Sequence, residues 1–242
     1  MHCPINFLTL HRDPVRHAYF SGNPSRDPFF DSAAQAWIVT NPSHCRDIAA
    51  SSKLRPATYN ADYKALETRF GIDFSSMAFA FDTIPLCQHG AAHERARRRV
   101  SEFLSARKAA LTAGIPQAVS RRFEIMRRAG RVEAMREVLN PLVNDIMGII
   151  SDIDQAQLNH CSSVSAVFDR SIGIAKRRRI ADEIAALRKG ITDRLGPGAS
   201  EEDVGLRLAL LILGRDALTG TLGESLHRLF ERNPGHRLSE IA

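Results

Sequence analysis

The sequence has few cysteines, and their spacing excludes two classes of site. Cys3, Cys45, Cys87 and Cys161 are spread over 242 residues without a Cys-x-x-Cys pair. This spacing excludes a zinc ribbon and a thioredoxin-type site. So sparse a set in a chain of this length indicates reduced thiols in a reducing compartment. We therefore expect a cytoplasmic protein whose cysteines are inert or serve as small apolar side chains.

Long apolar runs and aromatic residues are also scarce. The longest apolar run, residues 208–213, is far shorter than the roughly 20 residues that span a bilayer. The first residues, Met1-His2-Cys3-Pro4, lack the basic end and apolar stretch of a signal peptide. Aromatic residues make up only 7% of the chain, so the basic clusters at 121–122 and 176–179 lack the interleaved stacking groups typical of nucleic-acid binding. We expect neither a membrane nor a nucleic acid as partner.

What the chain does contain is typical of a helical globular protein. It is 44% hydrophobic and 25% charged, with a net charge of +6, which is sufficient for a sizeable core. The patterning predicts one early strand at 36–40, a helix at 43–51 and another at 61–70, then a loop over 74–90. Further helices are predicted near 92–112, 117–129, 133–151, 154–170, 177–195 and 200–232. The sequence therefore predicts a mainly α fold with a small N-terminal β element, forming one domain over 1–242.

The last of these helices has clear signals at both ends. Ser200 is a good N-cap, acidic residues fill the first turn, and Asn233-Pro234 ends the helix. Gly214 lies inside it, either to pack closely against a neighbouring helix or to leave room for a ligand. The leucine-rich run at 208–213 is apolar around much of the helix, and we expect part of it to stay uncovered and to favour self-association.

The helix predicted near 92–112 carries His93 and, four residues later, Arg97. Residues at i and i+4 share one helix face, so this pair can bind two carboxylates. The segment resembles the Gly-Pro-x-His-x-x-x-Arg-Arg-x-Val helix of bacterial members of the cytochrome P-450 family, the haem-thiolate monooxygenases. The resemblance implies that His93 and Arg97 hold the propionates of haem b. Arg95, Arg98 and Arg99 are expected to point elsewhere and to be solvated.

A second segment, Leu213-Gly214-Arg215-Asp216-Ala217-Leu218, is similar to the Gly-x-Asp/Glu-Thr-Thr signature of the family's long central helix. The resemblance implies that Gly214 faces the cofactor and that Asp216 belongs to the oxygen-activating machinery. The threonine pair is replaced by Ala217 and Leu218. The hydroxyl that helps relay protons in the family is therefore missing at Leu218. The early strand and the helix after it resemble the family's first elements, so three segments occur in the family's order.

Together the matches cover the first three fifths of a typical family member. The later Glu-x-x-Arg motif and the cysteine loop that ligates iron are not among these residues, so the chain provides no metal ligand. The resemblance implies a truncated P-450-like fold, a gene fragment or half of a split enzyme. Its parent activity would be the haem-dependent, oxygen-using hydroxylation of a small organic molecule. Its partner would be a redox protein or a complementary C-terminal polypeptide.

A different function remains open. Some relatives of this family lack the thiolate and act as non-catalytic helpers of other biosynthetic enzymes. The apolar residue at Leu218 favours that alternative, whereas the retention of His93 and Arg97 favours a haem protein.

Overall fold

The structure is a computed structural model in which the chain is mainly helical with a small antiparallel sheet. It describes residues 28–31, 36–51, 53–56, 59–129, 132–159, 164–169 and 172–234. The chain forms two compact units, residues 1–55 and 56–242. The single domain over 1–242 stays a prediction.

The described residues of the first unit form a β-hairpin and one helix. Strands β1 (Phe29–Asp31) and β2 (Ala36–Ile38) pair antiparallel, with Phe30 opposite Trp37. The rings of Phe30 and Trp37 meet edge to face with centroids 5.7 Å apart. Helix α1 (Pro42–Ala50) begins where the Asn41 side chain accepts a hydrogen bond from the Ser43 N–H. The predicted strand and helix are confirmed, whereas β1 was not predicted.

The second unit is an array of helices. A 3₁₀ turn spans Pro85–Cys87, and a π-helical turn at Ala134–Leu139 leads directly into the helix that begins at Asn140. A further 3₁₀ turn spans Val164–Phe168. The helices are α2 (Asn60–Phe70), α3 (Ser75–Thr83), α4 (Gly90–Ala106), α5 (Lys108–Ala129), α6 (Asn140–Ser151), α7 (Gln155–Asn159), α8 (Ile174–Leu195) and α9 (Glu201–Arg232).

The core of this unit surrounds the first half of α9. Helices α3, α6 and α8 pack against α9, so its apolar residues are enclosed from several sides. Burying one such side chain contributes about 1.5–3 kcal/mol relative to leaving it exposed. The fully buried side chains include Met77 of α3, Met147 of α6, Ile184 of α8 and Leu208 of α9.

Two polar contacts fix α6 within the array. The Asp145 carboxylate is almost completely buried and accepts two hydrogen bonds from Arg122 of α5, at 2.9 and 3.0 Å. On the other side, Arg215 of α9 donates from Nε to Asn144 Oδ1 at 2.8 Å. A buried carboxylate needs such partners, because an unpaired charge in the interior costs several kcal/mol.

The helix boundaries correct three predictions. Residues 75–83 form α3 rather than a loop, because Met77, Ala80 and Phe81 face the core together. The predicted break at 114–116 is wrong: Pro116 lies inside α5, and the chain turns at Arg107 instead. The predicted helix over 154–170 is reduced to α7 and a 3₁₀ turn, with residues 160–163 outside the described part.

The apolar run of α9 is better covered than expected. Leu208, Leu211 and Ile212 are buried, and Leu210 and Leu213 are half-buried. The expectation that part of this run stays uncovered therefore holds only for its half-buried members. Within the described residues, every helix is too short or too polar to cross a membrane.

Candidate functional site

The start of α4 holds the His93 ring in a fixed orientation. Pro85 lies in the 3₁₀ turn just before the helix, and its carbonyl oxygen is 2.8 Å from His93 Nδ1. Because a carbonyl only accepts, Nδ1 must carry the hydrogen. His93 is half-buried and Arg97, one turn later, is exposed. Nε2 of His93 is therefore the ring atom left to meet a ligand.

This pair has the chemistry of an anion site. Arg97 forms no ion pair with any residue that the structure describes. A protonated His93 would donate from Nδ1 to Pro85 and from Nε2 to a carboxylate, beside the Arg97 guanidinium. A neutral His93 would instead present the Nε2 lone pair. The helical spacing thus brings together two side chains suited to bind carboxylate groups.

The other arginines of α4 do not all lie in solvent, which corrects one expectation. Arg99 forms ion pairs with Glu202 and Asp203 in the first turn of α9, the second at 3.1 Å. Arg95 borders a cavity, and Arg98 is exposed as expected. Arg99 therefore joins α4 to α9 rather than being solvated.

The cavity at this contact was not predicted. It has a volume of about 250 Å³ and lies where the end of α3, the following 3₁₀ turn, α4 and the start of α9 meet. Its lining combines small or apolar residues, including Ala92, Ala96 and Leu206, with charged residues that include Arg95 and Glu202. The sequence does contain a signal for this inner face of α4. It is the spacing of three or four residues between Ala92, Ala96, Arg99 and Phe103, which places them on one side of a helix.

Gly214 packs closely against α6. A Cβ atom added there would lie 3.2 Å from Met147 Cε and 3.5 Å from Met147 Sδ. Met147 is itself buried. Gly214 was expected either to allow close packing of helices or to leave room for a ligand. The structure shows close packing, because the Met147 side chain occupies the space beside Gly214.

Asp216 lies at the surface of α9 and is held by a neighbouring turn. Ser165, in the 3₁₀ turn at Val164–Phe168, donates its hydroxyl to Asp216 Oδ2. Leu218 is half-buried and packs against the core. The Asp216 carboxylate and the Ser165 hydroxyl thus form a hydrogen-bonded pair at this segment.

The structure brings His93 and Arg97 together, but it shows no bond from either to Gly214 or Asp216 among the described residues. Helices α4 and α9 meet through Arg99 with Asp203 and through Phe103 with Arg207. At 1.5 Å per residue, Gly214 lies about 10 Å further along α9 than Arg207. The two predicted motifs therefore occupy separate places on neighbouring helices.

Cysteine and metal chemistry have little support in the described part of the chain. Burial raises the pKa of the Cys87 thiol, and the nearby Asp82 carboxylate adds to this effect, so less of it is thiolate at neutral pH. Cys45 is exposed and free, whereas Cys3 and Cys161 lie outside the described residues. Within that part, no three or more His, Cys, Asp or Glu side chains are grouped to hold a metal ion.

Searches of protein-family models, of curated proteins and of solved structures find no match to this chain.

Proposed function

We propose that this chain supplies the propionate-binding helix and the central helix of a haem-thiolate monooxygenase of the cytochrome P-450 type. The observation that carries the proposal is the His93–Arg97 pair, with the ring oriented by the Pro85 carbonyl at 2.8 Å. Haem, when bound, supplies the iron for oxygen chemistry. His93 and Arg97 would bind its two carboxylates by charge-assisted hydrogen bonds.

The residues of this chain fit the propionates of haem better than they fit its iron. The donors of His93 and Arg97 suit a pair of propionates. Around Gly214 the adjacent space is taken by Met147, and Leu218 offers no hydroxyl. The iron-ligating cysteine loop is not among these 242 residues, so the thiolate would come from polypeptide outside this sequence. The small organic substrate, the redox partner and the cytoplasmic location belong to the same proposal.

A second candidate is a non-catalytic, P-450-like helper of another biosynthetic enzyme. Two observations favour it: the Met147 side chain packed against Gly214 and the apolar Leu218 in place of a hydroxyl. Neither feature prevents a protein from folding or from binding a partner, whereas both reduce the space and the proton donors that oxygen activation requires.

Haem titration of the purified full chain tests the first candidate. We expect the wild type to take up haem, and His93→Ala combined with Arg97→Ala to weaken that affinity at least about tenfold. Each charge-assisted hydrogen bond is worth roughly 1.5–3 kcal/mol, and 1.4 kcal/mol is a factor of ten. Arg98→Ala is the control, because this exposed arginine lies on another face of the same helix.

Three outcomes separate the candidates. Equal haem affinity in the double variant and the wild type would refute the assignment of His93 and Arg97. Absence of haem uptake by the wild type would overturn the proposal and favour the helper. The reduced, carbon monoxide-bound chain should lack the absorption band of a thiolate-ligated haem, and a clear thiolate band would show that a cysteine of this chain ligates the iron.

A further inference from the structure

Two arginines meet over one aromatic ring between α4 and α9. Arg107, at the turn between α4 and α5, places its guanidinium carbon 5.2 Å from the centre of the Phe103 ring. Arg207 of α9 places its own 4.9 Å from the same centre. The faces of aromatic rings attract cations, so Phe103 is a neighbour that both guanidinium groups share.

Arg207 is a buried cation whose hydrogen bonds are incomplete. Only 9% of the residue is exposed. Its Nη1 donates to the Asp203 carbonyl oxygen at 3.2 Å, whereas its Nε is buried without a partner. Burial lowers the pKa of Arg207, and the charge of Arg107 lowers it further. The surroundings thus penalise the charge on this side chain.

The carboxylates near Arg107 and Arg207 form ion pairs with other arginines. Asp203 binds Arg99 at 3.1 Å, and Asp152 lies 3.5 Å from Arg194. Arg107 donates to a neutral acceptor, the Ile149 carbonyl, at 3.2 Å. No carboxylate of the described residues forms an ion pair with Arg107 or Arg207. The charges of Asp203 and Asp152 offset part of the effect of burial and of Arg107 on Arg207, and a bound anion would neutralise the remaining positive charge of the pair.

We propose that Arg107 and Arg207 form a site for a small dianionic oxyanion, either inorganic phosphate or the phosphate group of a small molecule. Guanidinium groups present planar, paired donors that match phosphate oxygens, and a dianion balances two cations. This site is independent of the proposed haem function, because it uses neither His93 nor Arg97.

Calorimetric titration and thermal unfolding of the full chain test the site. Inorganic phosphate and glycerol 3-phosphate are the two probes, and sodium chloride of equal ionic strength is the control. We expect phosphate to bind and to raise the melting temperature, since a ligand that binds the folded state alone stabilises it. Glycerol 3-phosphate binding as tightly would identify the phosphate group of a larger molecule as the ligand, and phosphate alone would identify the free ion.

Two variants locate the binding. Arg107→Gln should weaken phosphate binding by about tenfold or more, the loss expected for a charge-assisted contact, whereas Arg98→Gln changes the charge equally and should leave it unchanged. Arg207→Met removes the buried charge while keeping the apolar stem. It should lose the phosphate-dependent rise in melting temperature and melt no lower than wild type without phosphate. Chloride acting as strongly as phosphate, or either site variant retaining the effect, would overturn the proposal.

Discussion

The two halves of α9 have different surroundings although they form one continuous helix. In the first half, residues 201–212, side chains from 204 to 209 and at 211 and 212 are buried. In the second half, residues 213–232, no side chain is fully buried and exposed positions recur every turn. The first half is thus fixed by its neighbours, whereas the second depends more on its own local interactions.

The glycines of α9 show the same contrast. A Cβ added at Gly205 would overlap the Thr83 side chain of α3, with the Thr83 Cβ only 2.6 Å away, whereas one added at Gly220 meets nothing within 4 Å. The segment from Gly214 to Leu218, which the sequence analysis compared with a P-450 signature, lies where the burial of the helix decreases. In the proposed function, the polypeptide that supplies the thiolate would also cover this segment.

The largest expected effect comes from truncating one leucine in each half. Leu208 is fully buried, so Leu208→Ala should lower the free energy of unfolding by about 2–5 kcal/mol through lost burial and a residual cavity. Leu226 lies half-buried in the second half, and Leu226→Ala should cost less than about 1 kcal/mol. Urea unfolding followed by circular dichroism measures both.

Because the two variants make the same chemical change in the same helix, helix propensity cancels between them. Equal losses of stability would show that the second half is as tightly packed as the first, and the contrast between the halves would then be wrong.

A smaller effect, of opposite sign in the two halves, is expected for glycine. Gly205→Ala should lower stability by about 1–3 kcal/mol, because the new methyl group has no room beside Thr83. Gly220→Ala should raise it by about 0.5–1 kcal/mol, because alanine is the better helix former and the position is open. Thermal unfolding of the two variants beside the wild type measures the sign directly. A stabilised Gly205→Ala would mean that α3 and α9 lie further apart than the structure shows.

The ends of α9 were predictable because their signals are local. The Ser200 hydroxyl accepts from the Asp203 N–H at 3.0 Å, as the N-cap pattern predicted, and the helix ends at Arg232 just before Asn233. The turn at Arg107 was not predictable, since it contains neither glycine nor proline. Instead, the Arg107 side chain bonds to the Ile149 carbonyl of α6, a tertiary contact that no local pattern encodes.

The candidate site follows the same rule. That His93 and Arg97 share a face depends only on helical spacing, so the sequence could predict it. The ion pairs of Arg99 join residues more than a hundred positions apart, and they arise only when α4 packs on α9. For the same reason, the sequence left open whether Gly214 packs against a helix or leaves room for a ligand. Only the packing of α9 on α6 shows its contact with Met147.

The smallest expected effect concerns an ion pair in the exposed second half of α9. Arg228 donates to Glu224 at 2.7 Å, and this hydrogen bond, with the Arg228 charge, lowers the pKa of Glu224 below its ordinary value of 4.5. A carboxylate whose pKa is lowered by folding stabilises the folded state above its ordinary pKa. That contribution disappears as the pH falls through the lowered value.

Glu224→Gln should therefore lower the melting temperature slightly at pH 7, and this effect should fade as the pH falls through the lowered pKa and the wild-type carboxyl becomes neutral. The effect should be small because both side chains are largely exposed and water screens their attraction. Arg228→Gln and the double variant complete a thermodynamic cycle, in which the coupling between the two sites should vanish at low pH and in high salt. A large coupling that persists in high salt would mean that the second half of α9 is shielded from solvent, and its description as the exposed half would then have to be abandoned.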